Sequence, residues 1–87
     1  MTPAERKSLV TDVQNRLNTA LQSRGYEFAM KVLDWQCYED EKHVYIPVAP
    51  GDGPFSAYQY VRVLHDVEYD MWDDGQESVM LVPARAD

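Results

Sequence analysis

Apolar residues in the first part of the chain recur at helical spacing. Val10, Val13, Leu17 and Leu21, with Leu9 and Ala20 beside them, form one stripe. The opening "TPAE" starts the helix. Thr2 can cap it, Pro3 suits a first helical position because its missing N–H has no partner there anyway, and Glu5 closes a capping box. Gly25 supplies a left-handed residue at the end, so the pattern predicts a helix over 3–24.

From Tyr26 the period falls to two. Tyr26, Phe28, Met30 and Val32 alternate with Glu27, Ala29 and Lys31, which predicts a strand over 26–37 with one buried face. The alternation slips at "VLDW", where a bulge or the end of cover is expected. After the polar "YEDEK", Val44, Ile46 and Val48 mark a second strand over 43–49. Pro47 has no ladder donor, which places this strand at an edge or turns Pro47 to a free side.

Residues 57–73 carry two patterns. Val61, Val63, His65, Val67, Tyr69 and Met71 alternate as in a strand. Ser56 and Gln59, however, form a second capping box, Phe55 and Tyr60 stand as a hydrophobic staple, and Gly75 can end a helix. On a helix Tyr60, Val61, Leu64, Val67, Met71 and Trp72 share one side, interrupted only by Glu68. A strand of this length would also be long for so small a domain, and helix is the preferred reading. "SVMLVP" then reads as a strand over 78–83, buried on both faces or nearly so, and "ARAD" as a tail.

The order is α-β-β-α-β, an α+β domain. A crossover through the second helix sets the last strand parallel to the second and beside the first, giving a three-stranded sheet of order 2-1-3 with two helices on one face. If 58–71 were a strand, the alternative would be one helix over a four-stranded antiparallel meander.

Eighty-seven residues, 45% of them hydrophobic, suffice for a single domain over 1–87 with one core. The lone Cys37 cannot form an internal disulfide, and there is neither a basic, then apolar, leader nor a long apolar run, so a cytoplasmic location is expected. Glu39, Asp40 and Glu41 beside Cys37 speak against a reactive thiolate.

Charge changes the picture more than composition does. Residues 1–24 carry a net +2 and the remainder −9. Such a field disfavours direct contact with nucleic acid or membrane and favours basic partners. Six of the acids fall in "DVEYDMWDDGQE".

The chemistry available is limited. Asp70, Asp73, Asp74 and Glu77 lack the alternate spacing of an EF-hand loop. His43 and His65 do not complete a metal site with Cys37 or Glu68, so no metal and no cofactor are expected. "APGDGPFS" lacks the Lys-Ser or Lys-Thr pair of a phosphate-binding loop. Ser8, Ser23, Ser56 and Ser78 stand in no nucleophile context, and helix-face carboxylates open to water lack the burial that raises a general acid's pKa; no enzyme is expected.

Asp66 and Asp70 lie one turn apart, and with no cation read at the matching spacing they should repel each other. Together with Tyr69, Asp73, Asp74 and Glu77 they define a candidate docking face for a basic protein, including a nucleic-acid-binding one, as inhibitors, immunity proteins and adaptors use. The alternative is a homodimer formed across a sheet face bearing Trp35, Tyr38 or Tyr45.

Overall fold

The computed structural model describes residues 2–54 and 56–85. The order is α1 (Pro3–Ser23), β1 (Met30–Val32), a 3₁₀ turn (Asp34–Gln36), β2 (Tyr38–Glu39), β3 (Val44–Pro50), α2 (Ala57–Asp73) and β4 (Val79–Pro83).

Local chemistry sets both helices. Thr2 Oγ1 accepts the Glu5 N–H at 3.1 Å while Glu5 accepts the Thr2 N–H at 3.3 Å, and the cap holds the Glu5 carboxyl below its ordinary pKa. Ser56 caps α2 by accepting the Gln59 N–H at 3.3 Å. The staple expected from Phe55 falls outside the described residues. Both helices end in the same way. Gly25 (φ 68°) and Gly75 (φ 90°) turn left-handed, and the next amides, Tyr26 and Gln76, bond back to Leu21 and Met71.

Strand β3 is the centre of the sheet. β1 and β2 pair antiparallel with its two ends along one edge, through Lys31 opposite Ala49 and Tyr38 opposite Tyr45. β4 runs parallel along the other edge from Val44/Val79 to Val48/Pro83. The expected order 2-1-3 is thereby corrected: the second predicted strand is the middle row, and the last strand pairs with it directly. Four strands are present, as in the alternative meander, but Ala57–Asp73 is helix.

Pro47 explains both the centre and the break. Val44 N–H bonds Ser78 and Val48 C=O accepts from Ala84, so even-numbered positions of β3 face β4 and odd-numbered ones face β1 and β2. The missing donor of Pro47 is aimed at Leu33. Leu33 donates to the Pro47 carbonyl at 2.9 Å, but its own carbonyl has no N–H to meet. It accepts instead from Gln36 N–H (3.0 Å) and from Cys37 Sγ (3.7 Å). The first predicted strand therefore splits at a 3₁₀ turn where a bulge or the end of cover is expected. A proline is tolerated mid-sheet because it faces that notch.

Leu9, Val13, Leu17 and Leu21 of α1 and Tyr60, Val63, Leu64, Val67 and Met71 of α2 join Met30, Val32, Val44, Ile46, Val48, Val79 and Leu81 in one core cluster. Both helices thus cover the same face of the sheet. Full burial of such side chains stabilises by about 1.5–3 kcal/mol each.

The helices also close the outer edges of β1 and β4. On the β1 side, Gln14 of α1 donates to the Met30 carbonyl at 2.8 Å and accepts the Val32 N–H at 2.9 Å. On the β4 side, Glu68 of α2 accepts the Leu81 N–H and Trp72 Nε1 donates to the Val79 carbonyl, both at 2.8 Å. Glu68, which interrupts the apolar side of α2, is there to serve this edge.

Candidate functional site

The six candidate docking residues do not form one face. Asp66 and Asp74 turn toward α1. Arg24 Nη2 donates to Asp66 Oδ2, with Arg62 Nε 3.8 Å from the same oxygen. Arg16 bonds Asp74 at 2.5 Å and Asp12 at 3.1 Å, which raises the Arg16 pKa further. Asp70 lies between these pairs, on a shallow groove lined by Asn15, Arg16, Thr19 and Arg24. The expected repulsion between Asp66 and Asp70 is therefore answered by α1 arginines and by Arg62, one turn before Asp66, which the spacing argument overlooked.

Tyr69, Asp73 and Glu77 lie toward the sheet. Tyr69 is 59% exposed and meets Trp72 edge to face at 5.2 Å. Asp73 and Glu77 border a shallow cleft with His43, Trp72 and Met80. Among the described residues, Asp70, Asp73 and Glu77 enter no ion pair. No group of three or more His, Cys, Asp or Glu side chains there is arranged to hold a metal. No helix among them is long and apolar enough to cross a membrane.

The sheet face away from the helices carries a second set of residues. By strand alternation Lys31, Tyr38, Tyr45, Pro47, Ala49, Met80 and Val82 point to it. Tyr38 and Tyr45 stack at 4.7 Å with rings 15° apart, and His43 tilts against Tyr45 at 5.9 Å. Trp35, in the notch between β1 and β2, is 63% exposed with the Lys31 ammonium 6.0 Å from its ring, and Tyr38 is 54% exposed. Met80 and Val82 are half-buried, so β4 is not covered on both sides as its sequence implied.

Asp40 fixes one end of this face. Its carboxylate accepts the Lys42 and His43 amides at 2.8 and 2.7 Å and the Tyr45 hydroxyl at 2.9 Å. These bonds hold Asp40 below the ordinary aspartate pKa, and the bond to Asp40 raises Tyr45 above the ordinary tyrosine value. Cys37 is half-buried, and desolvation raises its thiol pKa, opposite to what a nucleophile requires.

Trp35, Tyr38 and Tyr45 are visible in the sequence as candidates, whereas Met80 and Val82 are not, because their apolar run conceals which side is open. The roles of Gln14, Arg16 and Arg24 appear only once the helices pack. No family model matches the chain, no curated protein matches it, and no solved structure matches it.

Proposed function

We propose that the protein is a non-catalytic, cytoplasmic assembly module that associates with a second copy of itself through the open face of its sheet. The observation that carries this reading is the exposed aromatic set of Trp35 and Tyr38, with Tyr45 stacked below, on the face opposite both helices. Large aromatic side chains left open to solvent on one face are characteristic of association sites, although Pro47 and Ala49 at the centre of this face are themselves buried. Because Gln14 occupies the outer edge of β1 and Glu68 and Trp72 that of β4, face-to-face packing is favoured over strand addition at those two edges.

Light scattering across a concentration series tests it. The mass should rise from 10.1 kDa toward twice that value, and Trp35→Ser with Tyr38→Ser should hold the chain monomeric while leaving its circular dichroism unchanged. A wild type that stays monomeric at every concentration sinks the reading.

A second reading is docking of a basic protein on α2, in the manner of an inhibitor, immunity protein or adaptor. It is favoured by exposed Tyr69 beside Asp70, Asp73 and Glu77, which remain outside the ion pairs among the described residues. Here Asp70→Asn, Asp73→Asn and Glu77→Gln together should abolish low-salt capture of one basic protein from a lysate. Capture that ignores both the substitutions and added salt counts against it.

A further inference from the structure

We infer that the outer ridge of α2 docks a basic amphipathic helix of a partner protein, with a Lys or Arg of that helix seated between Asp73 and Glu77. This inference rests on the second reading above, a basic partner on α2, and adds the form the partner takes there.

Tyr58, Val61, His65, Tyr69 and Trp72 follow one another at intervals of three, four, four and three residues. That spacing places them on one side of α2, away from the buried Tyr60, Val63, Leu64, Val67 and Met71. Tyr58 is 74% exposed, Val61 41% and Tyr69 59%, and with Trp35 and Tyr38 they are the large hydrophobic side chains left open among the described residues. His65 is exposed and Trp72 half-buried. The ridge runs roughly 21 Å at 1.5 Å per residue, about four turns. An apolar stripe of this spacing and length is what a second helix lays its own stripe against.

The charges decide which helix. α2 has no basic residue in its last turn, so Asp70 and Asp73 add to the negative end of the helix dipole. Several neighbouring acids are already answered: Asp74 by Arg16, Asp66 by Arg24 and Arg62, and Glu68 by the Leu81 amide. Asp70 borders the groove that also holds Arg16 and Arg24. Asp73 and Glu77 have neither an ion pair nor a side-chain hydrogen bond among the described residues. They border the cleft with His43, Trp72 and Met80, which no Lys or Arg lines. The cleft offers a cation two carboxylates and an indole. On the α1 side of the ridge Arg16 and Arg24 repel the same cation, so the partner's basic residues are directed to the cleft.

Two labelled peptides of identical composition test this by fluorescence anisotropy at low salt. One is a Leu/Lys sequence of about fifteen residues with its leucines at helical spacing, long enough to span the ridge, and the other is a scrambled form without an apolar stripe. The helical peptide should bind at least about tenfold more tightly than the scrambled one. Tyr58→Ser with Val61→Ser, which leaves every charge in place, and Asp73→Asn with Glu77→Gln should each weaken it about tenfold. All four residues are exposed, so the fold is kept. Equal binding of the two peptides, or binding indifferent to the Tyr58 and Val61 substitutions, overturns the helical partner and leaves docking of a basic protein on the acids standing. Binding indifferent to the Asp73 and Glu77 substitutions, or no binding of either peptide, overturns both. Self-association of the wild type that is lost in the Tyr58→Ser, Val61→Ser variant assigns the ridge to a second copy and likewise overturns the inference.

Discussion

Gln14 of α1 and Glu68 of α2 occupy equivalent stations on opposite edges of the sheet, each holding by its side chain the backbone amide that a further strand would have paired: Val32 for Gln14 and Leu81 for Glu68. Gln14 completes the imitation by donating to Met30, and Trp72 does the same for Glu68 by donating to Val79. The helices therefore do two things, filling the core with their apolar stripes and satisfying strand edges with a few long polar side chains.

Gln14→Ala strips the Met30 carbonyl and Val32 amide of their partner and should cost about 1–3 kcal/mol. The urea midpoint measures the loss, and faster amide exchange at Val32 locates it. Glu68→Leu completes the apolar side of α2 yet should still destabilise, because Leu81 N–H is left without an acceptor. A more stable Glu68→Leu protein would show that the edge bond contributes nothing.

A proline scan of β3 should be sharply uneven. Pro47→Ala faces the notch and should change stability by no more than about 1 kcal/mol. Ile46→Pro or Val48→Pro removes a donor aimed at β4 and should cost about 3 kcal/mol or more by thermal denaturation. Equal losses at all three positions would contradict the assigned ladder.

The ion pairs between the helices are partly exposed, with Arg24 and Asp66 side chains at 29% and 37%. Arg24→Ala should therefore cost less than about 1 kcal/mol, and the difference from wild type should shrink in 1 M salt, where screening acts within about 3 Å. A large, salt-insensitive loss would mean that Arg24 acts through packing.

Acid should open the turn at Asp40. The folded pKa of Asp40 is depressed below the ordinary 3.8, so its bonds to Lys42, His43 and Tyr45 contribute fully above that value and are lost as pH falls through the lower folded value. In an NMR titration the Lys42 and His43 amide shifts should inflect below pH 3.8. At the alkaline end, Tyr45 should ionise above the ordinary 10.0, and Asp40→Asn should bring that titration back down.

What could be read in advance depended on distance along the chain. Thr2, Pro3, Glu5 and Gly25 act within a turn of where they stand, and α1 runs from Pro3 to Ser23, close to the expected bounds. For α2, Ser56 and Gly75 outweighed an alternation that pointed to a strand, and the helix spans Ala57–Asp73. The sheet order failed on one residue. Pro47 in sequence marks an edge or a free side, and the 3₁₀ turn that receives it lies between two other strands, β1 and β2, out of reach of local pattern. The pairing of Asp66 and Asp74 was not legible for a similar reason: Arg24 and Arg16 lie 42 and 58 residues from the carboxylates they neutralise, beyond any local spacing rule. Tyr38 and Tyr45 were legible as neighbours on one side because strand alternation decides which side they take, whereas Trp35 stands in the 3₁₀ turn, where no alternation places it.

The central place of β3 also governs the order in which the chain is completed during synthesis. β1 and β2 are made before β3, so one side of it is paired as soon as it emerges, through the tight turn at Asp40. Its other side waits until the whole of α2 has been made, which at about 5–20 residues per second is an interval on the order of seconds. Throughout that interval the Val44 and Val48 backbone groups that later bond Ser78 and Ala84 are open to any neighbouring chain. Slowing translation within α2 should therefore lower the soluble yield more than the same pause placed before β3.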